Sequence, residues 1–168
     1  MKLIAVDKER YRKHFNRLLF GCAVCLAVCS LVISYTLIAL FPDPSGSHFH
    51  WNAIGVLISA ALVGGALYHY RHHEYLTEVY YVWRLKQSLN KITRKMRKVE
   101  AAAKQGNPDA MLILQYSYSG SRLLWKLDDN TLIMDELAVK QTELNNLAEK
   151  YNITLDVDNY DEQLLAKI

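Results

Sequence analysis

Two groups of residues have the types and spacing that chemistry could use. Cys22, Cys25 and Cys29 recur at i, i+3 and i+7, which puts three thiols on one helical face. Soft sulfur ligands in that pattern could hold a cation such as Cu(I). His69, His72 and His73 recur at i, i+3 and i+4, so two imidazoles of one helix could reach a single metal. His48 and His50 flank Phe49 in a separate stretch. Neither histidine group is joined by an acidic ligand cluster. The plainer reading is a polarizable packing face for the cysteines and headgroup-level polarity for the histidines. We therefore expect no metal, no cofactor and no disulfide. Motifs for covalent or phosphoryl chemistry are also missing. The chain has no phosphate-cradling glycine loop, no Gly-x-Ser-x-Gly and no His-Glu-x2-His. A non-enzymatic role is the expectation.

The elements that would position these groups are set by how charge and apolarity are distributed. Of 168 residues, 51% are hydrophobic and the net charge is +3. Both averages hide segregation. Residues 1–17 carry six Lys/Arg against two acids, and residues 18–70 carry only Asp43. Residues 71–105 carry nine basic residues against three acids, and 106–168 carry five against eleven.

The uncharged run Leu18 to Phe41 would reach roughly 36 Å as a helix, and Trp51 to Tyr70 roughly 30 Å, at ~1.5 Å per residue. A hydrocarbon core is about 30 Å thick, so each run can cross it. The first run is longer than a signal-peptide core and a second comes at once after it, which favours an uncleaved hairpin. Lys and Arg flank both runs and are absent from the connection 42–50. That distribution places both termini in the cytoplasm by the positive-inside rule. Pro42-Asp43-Pro44-Ser45-Gly46-Ser47 reads as a turn. Small residues at four-residue spacing (Gly21, Cys25 and Cys29; Gly55 and Ser59; Ala60 and Gly64; Ala61 and Gly65) predict close helix packing, within the hairpin or between copies.

No proline interrupts residues 45–107, so the second run is expected to continue as one long helix to Lys104. Val82, Leu85, Leu89, Ile92, Met96, Val99 and Ala103 keep a heptad spacing, predicting a seam for bundle or oligomer packing. Arg71, Arg84, Lys86, Lys91, Arg94 and Lys95 accompany it and suit contact with anionic lipid. Gly106-Asn107-Pro108 should end that helix and cap another, with Met111, Leu114, Tyr118 and Trp125 on one side. A third helix comes after a turn at Asp128-Asp129-Asn130-Thr131, with Leu137, Leu144, Leu147 and Tyr151 inward and Asn152 as a left-handed stop. Residues 153–157 alternate like a short strand, and 160–167 could form a terminal helix.

The expected architecture is an all-α membrane protein. It comprises a basic segment (1–17), spans at 18–41 and 51–70 joined by the turn 42–50, and a cytoplasmic antiparallel helical bundle (71–168). The bundle helices fall at about 71–105, 108–127 and 132–151. Val6-Asp7-Lys8-Glu9-Arg10-Tyr11-Arg12-Lys13-His14, Glu78 through Gln87, and Leu127-Asp128-Asp129-Asn130-Thr131 resemble a family of short, uncharacterised bacterial inner-membrane proteins. That resemblance implies the bacterial inner membrane as location and brings no activity, cofactor or catalytic residue. The functional expectation is an anchor, scaffold or oligomerisation protein. Its partners would be membrane lipids and either another copy or a second membrane protein, rather than nucleic acid. The alternatives are a regulatory or sensing subunit with a ligand near the cytoplasmic membrane face, or an accessory subunit of a transporter or channel.

Overall fold

The structure is a computed structural model that describes residues 2–42, 46–130 and 134–168. Every regular element among the described residues is helical: α1 (Lys8–Leu40), α2 (Phe49–His69), α3 (Thr77–Lys104), α4 (Pro108–Leu127), α5 (Met134–Lys150) and α6 (Glu162–Ala166), with a single 3-10 turn at Val157–Asn159. The expected strand at 153–157 is absent: residues 153–156 form no regular element, and from Asp156, which is extended, the chain turns into the 3-10 helix instead. Two compact units divide the chain, Glu9–Tyr80 and a second made of Met1–Lys8 with Tyr81–Ile168.

In the unit 9–80, α1 begins ten residues before the uncharged run, because the charged stretch Lys8 to Arg17 forms helix as readily as the apolar stretch after it. The expected turn at 42–47 lies partly outside the described residues. Both apolar helices leave their hydrophobic side chains uncovered: Phe20 is 73% exposed, Leu31 71% and Leu57 69%. The most apolar windows of α1 and α2 are only 6% and 11% buried. A core helix of a water-soluble domain is mostly covered, and these are not.

The long continuous helix expected from Ala53 to Lys104 is broken. Helix α2 stops at His69, and residues 70–76 form successive turns before α3 starts at Thr77. No glycine or proline causes this. The backbone closes in tighter turns, the His73 amide donating to the Tyr70 carbonyl at 2.9 Å and the Leu76 amide to the His73 carbonyl at 2.8 Å. Local side chains add to them: Arg71 donates to the Tyr68 carbonyl at 2.6 Å, the Tyr75 amide donates to His73 Nδ1 at 3.2 Å, and the Thr77 hydroxyl donates to the His73 carbonyl at 3.1 Å.

In the other unit, α4 is the central helix. Met111, Ile113, Leu114, Tyr116, Ser117, Tyr118 and Gly120 are all buried, so the helix is covered around most of its circumference, and only the stripe Leu112, Gln115 and Ser119 is half-buried. Its sequence pattern predicts only one inward face. Leu85, Ile92 and Val99 of α3 are fully buried, with Val82, Leu89 and Ala103 also inside; Met96 is only half-buried. Gly120 lets α3 approach: a Cβ there would stand 3.1 Å from Leu89 and 3.3 Å from Leu85. The heptad stripe is therefore covered by this chain's own bundle. Of the residues expected inward on α5, Leu137 and Leu144 are buried, Leu147 is half-buried, and Tyr151 lies at the exposed end.

The helix ends obey their sequence signals. Asn107 caps α4 by accepting from the Ala110 amide at 3.1 Å. Gly106 adopts φ +86° and Asn152 φ +55°, the left-handed stops. At Gly106 the Asn107 and Gly106 amides return to the Ala102 and Ala103 carbonyls, a Schellman closure. The expected turn at 128–131 is described through Asn130, with Asp129 left-handed at φ 56°; Thr131, and a start of α5 at Leu132, lie outside the described residues. The N-terminal segment joins this unit. The Ile4 amide donates to the Tyr81 hydroxyl at 2.8 Å, and Lys8 pairs with Asp129.

Candidate functional site

The unit 9–80 contains a groove of about 450 Å³ between α1 and α2. Its origin lies in unequal helix approach. Toward the 42–47 connection the helices touch: a Cβ on Gly55 would fall 2.1 Å from Ser34 Oγ and 3.1 Å from the Ser30 carbonyl. Ser59 there satisfies its buried hydroxyl on the Gly55 carbonyl at 2.8 Å. Toward the other end they part. A Cβ on Gly21, which lines the groove, would meet nothing within 4 Å. Of the small-residue patterns, Gly55 and Ser59 pack the hairpin, Gly21, Cys25 and Cys29 line the groove, and Ala60, Ala61, Gly64 and Gly65 are exposed.

Helix α2 contributes Leu62, Val63, Ala66 and Leu67 to the opposite wall, and the turn after it adds Tyr70, Tyr75 and Leu76. The lining is nearly all apolar. Its one ionic member is Arg17, the last cation before the uncharged run of α1.

Beside the groove lies a polar cluster in the same unit. The His14 ring stacks on Tyr75, with centroids 3.9 Å apart. Glu78 holds Arg10 at 3.4 Å through Oε1 and turns Oε2 toward His14 Nδ1 at 3.9 Å. Both facing atoms are buried and without a hydrogen bond. At 3.9 Å they attract as charges when the imidazole is protonated, but are too far apart for a direct hydrogen bond. No sequence pattern points to this cluster, because His14 and Glu78 stand 64 positions apart. Arg17 had a signal: it lies one turn after Lys13 at the edge of the uncharged run.

The metal candidates are not gathered. With α2 ended at His69, His72 and His73 fall in turns and the helical i, i+3, i+4 face does not form. His69 lies edge-on to Tyr70, His72 edge-on to Tyr80, and His73 serves as a turn acceptor. Cys25 and Cys29 sulfurs stand 3.8 Å apart on the groove wall with Cys22. Among the described residues no group of three or more His, Cys, Asp or Glu could hold a metal.

The cations named for lipid contact are mostly engaged. Lys86 pairs with Asp128 at 3.2 Å and Lys91 with Glu162 at 2.9 Å, while Lys95 donates to the Leu165 carbonyl at 2.8 Å. Arg71 folds over the Tyr68 ring at 3.8 Å. Arg84 and Arg94 remain exposed.

The fold and groove define a class of protein: an all-helical chain with two helices of membrane-spanning length and apolarity, succeeded by a closed helical bundle. Over residues 1–165 the chain belongs to the family described as protein of unknown function DUF3087. No curated protein and no solved structure matches it.

Proposed function

We propose that this protein is a non-enzymatic, two-span inner-membrane protein that anchors a cytoplasmic helical bundle and acts as a scaffold for another membrane protein or a second copy. The observation that supports it best is the contrast between the units. Helices α1 and α2 expose large apolar side chains along their length, while the bundle is closed over its own stripe. A contiguous apolar surface of two such helices far exceeds what water tolerates on a monomer, and lipid is the solvent that suits it. The distribution of Lys and Arg, before the uncharged run of α1 and after α2 with none between, favours both termini inside. The closed stripe leaves association to the exposed faces of the bundle, such as the one carrying Arg84 and Arg94.

The test is made on the full chain in bacterial membranes. Resistance to alkaline extraction is expected. In a background with the three native cysteines replaced by alanine, Ser47→Cys should react with an impermeant maleimide from outside. Lys167→Cys should react only after the membrane is opened. A photo-crosslinking side chain at Arg84 or Arg94 should give a discrete product. Alkaline release would sink the membrane reading, and a chain that crosslinks to nothing, itself included, would sink the scaffold reading. A second reading, a regulatory subunit taking a ligand near the cytoplasmic membrane face, is favoured by the groove and its single cation.

A further inference from the structure

We propose that the groove between α1 and α2 is a binding site for one anionic phospholipid of the inner leaflet, its acyl chain between the helices and its phosphate on Arg17. The site rests on the membrane reading above.

Three observations converge on this ligand. The first is length. The α1 wall runs from Arg17 to Cys29, roughly 18 Å at ~1.5 Å per residue. One leaflet of a hydrocarbon core that is about 30 Å thick measures about half that thickness, so the wall spans one acyl chain. The second is shape. The helices meet at Gly55 and Ser34 and part toward Gly21, leaving a slot closed at the bilayer centre and open at the cytoplasmic interface. Gly21 keeps the slot open because a larger residue there would project into it. A volume of about 450 Å³ lies within the about 300–1,000 Å³ of small-molecule sites.

The third is charge. Arg17 stands at the open end and, among the described residues, has no ion pair or hydrogen bond. Lys13, one turn earlier on the same face, is exposed and likewise unpaired among them. Glu78, which could have neutralised this end, is held by Arg10. Two uncompensated cations above an apolar slot complement a lipid that is acyl chain below and net negative charge above. A guanidinium also binds phosphate oxygens two at a time, which an ammonium does not. A neutral apolar molecule would make no use of Arg17, and a zwitterionic lipid would bring its own cation beside Lys13.

Native mass spectrometry of the full-length protein, released from nanodiscs of phosphatidylglycerol and phosphatidylcholine in equal parts, tests this. The wild type should retain one phosphatidylglycerol in preference to phosphatidylcholine. Arg17→Gln should lower that preference about tenfold, the scale of a charge-assisted contact. Arg17→Lys should keep part of it, and Gly21→Leu should remove retained lipid of either type. Circular dichroism on each variant checks that the helices persist; should Gly21→Leu unfold the hairpin, Ala66→Leu replaces it. Equal retention of both lipids, or phosphatidylglycerol retention unchanged in Arg17→Gln, would overturn the site and leave ordinary boundary lipid, with the membrane reading intact. Release of the protein by alkali would overturn both.

Discussion

Gly55 and Ser34 meet with no room for a further atom: a Cβ on the glycine would stand 2.1 Å from the serine oxygen. The contact is the pivot of the α1–α2 hairpin. In lipid, where burying apolar surface gives no net gain, close backbone approach supplies dispersion contacts that larger residues would prevent. Gly55→Ala forces the serine hydroxyl to rotate and also crowds the Ser30 carbonyl at 3.1 Å. Gly55→Val adds branches with nowhere to go. Overpacking of this kind costs about 1–3 kcal/mol, and valine should cost more than alanine. Thermal unfolding in mild detergent is the measurement. Equal stability of the valine variant and wild type would show that the helices do not meet here.

A similar contact closes α3. Gly106 sits at φ +86°, and a Cβ there would come within 2.6 Å of the Tyr151 ring. The two penalties can be separated. Gly106→Ala carries both the left-handed backbone cost and the ring clash, together about 1–3 kcal/mol. In a Tyr151→Ala background the clash disappears and only the backbone part remains, so the same substitution should cost less there. Strict additivity of the two changes in chemical denaturation would refute the contact.

How far the sequence foretold these features depends on the range of the cause. Gly106, Asn107, Pro108 and Asn152 act within one turn of themselves, and the helix ends they mark stand where their types predict. The stripe Val82 to Val99 was legible because periodicity survives packing, though it could not say that α4 covers it. The break at 70–76 was not legible. It goes with local hydrogen bonds, Arg71 to Tyr68 and both Tyr75 and Thr77 to His73, from residues that are not helix breakers by type. The groove depends on where two helices part, and the same small residues that predict contact at Gly55 predict it equally at Gly21. The pairing of His14 with Glu78 joins positions from opposite ends of the unit, which no local pattern encodes.

Tyr116 is fully buried and stacks on Tyr160 with ring centroids 3.8 Å apart. The buried hydroxyls of Tyr116 and Tyr160 both face the Ser88 hydroxyl, though none of the three reaches full hydrogen-bond geometry. Burial pushes the Tyr116 and Tyr118 phenols up to about 12, since the interior disfavours the phenolate. An unfolded chain ionises its tyrosines near pH 10. Between about pH 10 and 12 the unfolded state therefore holds fewer protons than the folded one, and linkage makes stability fall as pH rises through that window. Below pH 10 this contribution is fully present. Tyr116→Phe removes one ionising group and a weakly partnered hydroxyl while keeping the ring stack. At pH 7 it should change stability by less than about 1 kcal/mol, and it should flatten the alkaline loss. Tyr116→Ala opens a cavity at the centre of α4 and should cost about 3–5 kcal/mol at pH 7. Denaturation monitored by circular dichroism at pH 7, 9.5 and 11.5 distinguishes the two. A phenylalanine variant that loses stability with pH as steeply as wild type would show that Tyr116 is not held protonated by the bundle.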